Sequence, residues 1–329
     1  MSAAPVLSVR GLTVEIPMRR ATVRPVDDVS LDVAAGEILG VVGESGAGKS
    51  MTGNAVIGLL DPPAHIAAGE VRLGETRIDN LRREALRRIR GKRIGMIFQD
   101  PLTSLNPLLT VGEQIVETIL THLPVSAREA RRRAVAALEE VGIPAAARRV
   151  DSYPHAFSGG MRQRVVIALA LAAEPELVIA DEPTTALDVS VQAQITALLK
   201  RLCRERGTAV MLVTHDMGVI AETADRVAVM YAGRLVEIGP VRDVLTAPRH
   251  PYTAGLMAST PGASAGDDRL SQIPGAMPRL TALPAGCPFH PRCRRARGPC
   301  RQDPPPDLSA DRGVAACWFP VPREESVTA

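Results

Sequence analysis

The stretch GESGAGKS, residues 43–50, decides the fold. It fits G-x-x-x-x-G-K-[ST], a glycine-rich turn whose backbone N–H groups point inward at phosphate oxygens. The helix that follows such a turn adds partial positive charge at its N-terminus. Its context agrees. Upstream, EILGVVG (37–43) is a short continuous apolar run, as expected of a strand buried on both faces of a parallel sheet. Downstream, residues 49–60 predict a helix. A plain turn between strand and helix is a poor competing explanation. On this reading Gly43, Glu44, Ser45, Gly46, Ala47, Gly48, Lys49, Ser50 and Met51 form a nucleotide site. Lys49 reaches the β and γ phosphates and Ser50 ligates Mg²⁺.

LVIADEP (177–183) supplies the second part. Four apolar residues predict a buried strand that ends in two acids. Asp181 at the strand tip is placed to hold Mg²⁺ through water, and Glu182 to polarise an attacking water as general base. Paired acids after a strand are common alone; behind the Gly-Lys-Ser loop they are hard to explain otherwise.

FSGGMRQR (157–164) identifies the class. Glycines opening a helix make another anion site, yet one γ-phosphate does not need two. A head-to-tail dimer, in which this helix serves the partner's nucleotide, resolves the excess. With these three stretches the chain resembles the ATP-binding subunits of ABC transporters, whose signature usually reads LSGGQ; Phe157 and Met161 are the departures. The resemblance implies an α/β fold: a P-loop, RecA-like and mainly parallel sheet, an antiparallel β subdomain and a helical subdomain. It implies that Ser158, Gly159, Gly160 and Met161 act in trans, and that TALD (185–188) couples the two sites. It further implies that His215, in VTHD, contacts the γ-phosphate and that Gln99 contacts Mg²⁺ and the attacking water. Such ATPases stack adenine on an aromatic near the first strands, but no aromatic precedes Phe98 here. Arg20, Arg24 or Val26 is left to pack the base.

Alternation predicts a strand at 6–16, and apolar runs predict strands at 93–99 and 209–216. Residues 226–239 read as two strands about an Ala-Gly turn. Helices are expected at 126–142, with Ser126 and Glu129 as a capping box and Gly142 closing it, at 159–175 and at 189–207. Beyond about 240 Pro, Gly and Arg dominate. The expected organisation is therefore an ATPase core at 1–99 and 158–240, a helical subdomain at 100–157, and a loop-rich, cysteine-bearing C-terminal extension at 241–329.

Composition sets bounds. With 46% hydrophobic but only 2% aromatic residues, the core must be aliphatic. The net charge of +3 is spread over local basic runs that read as solvated faces, and there are no interleaved aromatics for base stacking, so nucleic acid is not expected as a partner. The N-terminus shows no secretory pattern, and the longest apolar run, VVIALALAA (165–173), is too short to span a bilayer. The expected place is the cytoplasmic face of the membrane, held there by partners.

Less universal stretches narrow the resemblance. QDPLTSLNPLLTVGEQI (99–115), YPHAFSGGMRQR (153–164), HPYTAGLMASTPG (250–262) and IPGAMPRLTALPAGCPFHPRC (273–293) look like the oligopeptide/dipeptide importer subfamily. That implies two permease subunits, an extracytoplasmic peptide-binding protein and two ATPase subunits, with Met161 pointing to a heterodimer. Import of nickel or another small solute is an alternative within the subfamily. A soluble ABC ATPase of DNA repair or translation is the alternative outside it, disfavoured by the single cassette.

Four of five cysteines, Cys287, Cys293, Cys300 and Cys317, are spaced C-x₅-C-x₆-C-x₁₆-C near the end, while Cys203 reads as a buried thiol on a helix. A cytosolic compartment disfavours disulfides, and no C-x₂₋₄-C pair marks zinc. The subfamily resemblance suggests a 4Fe–4S cluster on these four, with zinc as the alternative.

Overall fold

A computed structural model describes residues 4–19, 21–185, 187–260, 272–308 and 315–322. The chain packs as two compact units. One takes Met1–Leu7, Val33–Ile38 and Asn80–Leu212, and the other Ser8–Asp32, Leu39–Asp79 and Val213–Ala329.

In the first unit Ile94–Ile97 pairs in parallel with Leu177–Asp181, from Ile94 opposite Leu177 to Ile97 opposite Ala180. Ala209–Val213 lies on the other side of Leu177–Asp181. All five residues of Ala209–Val213 are buried, as are Leu177 to Ala180, as their unbroken apolar runs predict. Gly159–Leu171 and Val189–Arg206 are the long helices at 159–175 and 189–207. Ile195, Leu198 and Leu202 of the latter are buried, and so is Cys203, whose thiol donates to the Thr208 carbonyl (2.9 Å).

The segment after Asp100 is helical, with one difference from expectation. At Ala127–Glu140, Ser126 caps the helix by accepting from the Glu129 N–H, but the Glu129 carboxylate turns to Arg132 and Arg133 and does not close a box. The reciprocal box is at Thr110 and Glu113, opening a helix at Val111–His122 that periodicity missed. Two arginines within one turn outcompete a backbone donor for a carboxylate because those hydrogen bonds are charge-assisted.

In the second unit Ile38–Val42, fully buried, runs parallel to Arg226–Tyr231. Arg226–Tyr231 then turns back antiparallel into Arg234–Pro240. The turn between them has Ala232 at φ 49° and Gly233 at φ 85°, the two left-handed residues of a tight hairpin. A four-stranded sheet runs in the order Thr22–Val33, Leu7–Pro17, His65–Leu73, Thr76–Arg77. Thr22–Val33 escapes sequence reading because Pro25 and the Asp27–Asp28 pair break its alternation; Asp28 sits at φ 56°. The architecture is thus mixed α/β, with parallel pairs and an antiparallel sheet.

Past the hairpin come two short helices, Val241–Thr246 and Pro251–Ala258. Fully buried Glu237 anchors the join by accepting from the N–H groups of Arg249 (2.7 Å) and His250 (2.9 Å). Burial pushes its carboxyl up from the usual range. No helix among the described residues is long and apolar enough to cross a membrane.

Candidate functional site

The glycine-rich loop lies where the sequence places it, between the strand Ile38–Val42 and the helix Lys49–Ile57. The helix has no side-chain cap, because its N-cap is Gly48 at φ 105°. A helix N-terminus that follows a glycine-rich turn in this way carries partial positive charge suited to an anion. Lys49, only 6% exposed, folds its ammonium back over the loop and donates to the carbonyls of Gly43 (2.8 Å) and Glu44 (3.1 Å). Ser45, Gly46 and Ser50 are exposed, while Ala47 is buried. The hairpin turn braces the loop, with Gly233 N–H donating to Ala47 O (2.9 Å).

In the first unit Asp181 ends its strand half-buried, and Glu182 follows at φ 45°. A non-glycine residue in that region is strained, and such strain gathers at functional sites. The Glu182 carboxylate accepts from Gln99 Nε2 (3.1 Å) and from the Thr185 hydroxyl (2.8 Å). The structure thus brings Gln99 and Glu182 together. Thr185 is a partner that sequence reading missed, since it saw that residue only as part of a coupling loop.

Ser158 caps the helix Gly159–Leu171 by accepting from Met161 N–H (3.4 Å). Gly160 has a packing reason as well: a Cβ there would come within 2.6 Å of Val191 Cγ1. Phe157 is buried, with the Arg149 guanidinium 5.6 Å from its ring centre. His215 is exposed and lies just past the strand Ala209–Val213. Flanking bonds fix its backbone: Thr214 N–H to Val41 O (3.1 Å) and Asp216 N–H to the Thr214 hydroxyl (3.1 Å). Of the residues expected to pack adenine, Arg20 lies outside the described residues. Arg24 extends to Glu15 (2.9 Å). Val26 is fully buried, so it offers no face to a base, which corrects that expectation.

Cys287, Cys293, Cys300 and Cys317 line one small cavity with His250, His290 and Trp318. Cys287 N–H donates to Cys300 O (2.9 Å), tying the first cysteine to the third. Burial pushes the Cys287 and Cys293 thiols up and that of Cys317 up to about 11; the neighbouring thiols act in the same direction. His250, pushed down to about 3 by burial, is neutral and accepts from Tyr252 N–H through Nδ1. Among the described residues no three His, Cys, Asp or Glu side chains form a group able to hold a metal ion.

The ABC transporter family profile matches residues 26–185. The profile for the oligopeptide/dipeptide transporter C-terminal region matches 236–300, taking in three of the four clustered cysteines and ending before Cys317. The dipeptide transport ATP-binding protein DppD of Bacillus subtilis is 46% identical over 322 residues, 97% of this chain and 96% of that protein. The oligopeptide transport ATP-binding protein OppD of Escherichia coli is 47% identical over 315 residues, 96% of this chain and 93% of that one. Among solved structures, a dimeric ATP-binding cassette in a post-hydrolysis state, bound to ADP and Pi, superposes with a TM-score of 0.65 at 31% identity. That alignment covers 72% of this chain and 99% of the other. The chain belongs to the ATP-binding subunits of ABC transporters, in the group that carries the oligopeptide/dipeptide transporter C-terminal region.

Proposed function

We propose that this chain is the ATP-hydrolysing subunit that powers import of dipeptides or oligopeptides through a membrane permease. The observation that carries the chemistry is the Glu182 carboxylate held by Gln99 and Thr185 at the end of a buried strand. The peptide class is supported by relatives that match nearly the whole chain and by the C-terminal region. These also tell against a soluble ATPase of repair or translation.

In this reading ATP lies on the loop of Gly43 to Met51, with the Lys49 ammonium on its β and γ phosphates. Ser50, Gln99 and Asp181 would hold Mg²⁺, which when bound neutralises charge on the phosphates. Oxygen donors at a strand tip and a loop hydroxyl suit that hard cation. Glu182 takes a proton from the attacking water, and His215 faces the γ-phosphate. Ser158, Gly159, Gly160 and Met161 close over the nucleotide of a second ATPase subunit, a pairing that the dimeric solved relative supports; the Met161 variant of the signature is the reason for reading that subunit as a different one. The residues 1–99 and 158–240 serve as the ATPase core, 100–157 as the helical subdomain, and 241–329 as the extension. The assembly, at the cytoplasmic face of the membrane, includes two permeases and an extracytoplasmic peptide-binding protein. The test is purification with its permeases, reconstitution in vesicles and measurement of peptide uptake. ATP-dependent uptake of a short peptide is expected, and uptake of nickel ion with no uptake of peptide would overturn the peptide reading.

The cysteine cavity is read as the seat of a 4Fe–4S cluster on Cys287, Cys293, Cys300 and Cys317. Four thiols on one cavity suit it in kind. Zinc on the same thiols is the alternative. A bound cluster would supply a cross-link among the loops and a one-electron couple. Anaerobically purified protein is expected to carry about four iron and four sulfide per chain, and Cys300→Ser to lose most of both. Iron-free protein, or stoichiometric zinc, would reject the cluster.

A further inference from the structure

Glu44, inside the glycine-rich loop, is gripped by residues far along the chain. Its carboxylate accepts from both terminal nitrogens of Arg292, at 2.9 and 3.0 Å. Its own N–H donates to the Tyr252 hydroxyl at 2.9 Å. Its carbonyl in turn accepts from the Lys49 ammonium (3.1 Å) and from Ala47 N–H (3.1 Å). One residue therefore joins the C-terminal segment to the lysine that the proposed site places on phosphate.

Arg292 is itself held on every side. Nε donates to Pro274 O (2.9 Å) and Nη1 to the Tyr231 hydroxyl (3.4 Å). The guanidinium stands 5.9 Å from the ring centres of both Tyr231 and Phe289. Those rings and Tyr252 pack edge to face at 4.6, 5.2 and 5.4 Å. The whole chain has only three tyrosines, four phenylalanines and one tryptophan, so two aromatics against one arginine, with a third packed on both, are a local construction and not general core filling. The Arg292 side chain is 6% exposed and that of Glu44 28%, so the pair is shielded from most of the solvent that weakens surface ion pairs. A second contact comes from Met277, whose Cε would stand 3.1 Å from a Cβ placed on Gly46.

We infer that Arg292 and Tyr252 are positioning residues for the nucleotide loop: the C-terminal segment sets the conformation of Glu44, and through it the place of Lys49 and the affinity for ATP. The inference rests on the ATPase reading above. It assigns the segment a part in nucleotide binding that does not depend on what its cysteines hold. A two-point grip on one loop residue fixes both the direction of its side chain and the tilt of its peptide plane. A loop that keeps its phosphate-binding shape before ATP arrives pays no ordering cost on binding.

The test uses the full chain in the assembled transporter with a hydrolysis-deficient second ATPase subunit, with ATP turnover followed against ATP concentration and thermal stability measured in parallel. Arg292→Gln is expected to raise KM for ATP about tenfold with kcat within about twofold, the mark of a lost binding contribution. Glu44→Gln is expected to act in the same direction, and the double variant to be no worse than the stronger single, because both remove one interaction. Arg292→Lys is expected to recover only part of the loss, since an ammonium lacks the planar fork. Tyr252→Phe, which removes one oxygen and keeps the ring, is expected to raise KM about threefold at near-normal melting temperature, and it serves if Arg292→Gln fails to fold. A lowered melting temperature with unchanged KM, or singles whose effects multiply, would overturn the inference. Lys49→Ala is the control: if it abolishes turnover while Arg292→Gln and Tyr252→Phe leave KM unchanged, the grip is refuted and the ATPase reading stands. If Lys49→Ala turns over ATP normally, that reading falls first.

Discussion

Glu182→Gln is expected to reduce ATP turnover by at least about a hundredfold while ATP still binds. The amide keeps an oxygen where the carboxylate accepts from Gln99 (3.1 Å) and Thr185 (2.8 Å), so the local arrangement survives. What it loses is the capacity to take a proton from water. An amide cannot act as a base near neutral pH, whereas positioned general bases contribute about a hundredfold or more. The measurement is phosphate release in a complex whose second ATPase subunit is hydrolysis-deficient, beside equilibrium binding of ATP. Turnover above a tenth of the unmodified level would remove Glu182 from the role of base. The same assay on Thr185→Val reads the contribution of the residue that sequence reasoning missed.

Gly48→Ala is expected to be comparably severe, by geometry and not by chemistry. A Cβ at that position would lie 2.2 Å from the Pro25 carbonyl oxygen, on a backbone with φ 105° that side chains rarely adopt. Strain of that kind costs about 1–3 kcal/mol, and the clash is with backbone, which cannot step aside as a flexible side chain does. Gly48 O also accepts from Thr52 N–H (2.9 Å) and the Thr52 hydroxyl (3.0 Å), so moving Gly48 moves the first turn of the helix and Lys49 with it. Misplacement of about 1 Å costs about a hundredfold where positioning is the main contribution. ATP turnover is expected to fall by at least that factor, and ATP affinity to fall with it. Gly207→Ala is the matched control: φ is 66° there, but no atom lies within 4 Å of the added Cβ. It should cost about 1 kcal/mol of stability and leave ATP affinity unchanged. Normal ATP binding by Gly48→Ala would refute the phosphate-loop reading.

The elements legible in the sequence share a trait. Ile38–Val42, Leu177–Asp181 and Ala209–Val213 are runs with almost no polar interruption, because both of their faces are buried. The helix at 189–207 carries its period through four turns. The hairpin at Ala232-Gly233 announces itself through a glycine in a two-residue turn. The elements that escaped are those whose pattern is broken for a reason found elsewhere in the fold. Thr22–Val33 contains Pro25, whose carbonyl packs on Gly48, and Asp27, which pairs with Arg234. Ser126 and Glu129 look like a capping box until two neighbouring arginines claim the carboxylate.

By itself the sequence determined the α/β class, the family and the gathering of four cysteines in one segment, and it marked out the candidate phosphate loop and acid pair, because each is written in residues adjacent along the chain. Only the tertiary structure decided which distant side chains complete these parts. Thr185 and Gln99 meet at Glu182, Val26 is removed from any role at the base, and the four thiols share one cavity. Most of all, Arg292 and Tyr252 converge on Glu44 from more than two hundred positions away, |i−j| 248 and 208. The reason is physical: a spacing rule reports what a local turn or a helix face can bring together. An ion pair between loop and tail exists only once the core has packed and the two backbones have been carried within hydrogen-bond reach.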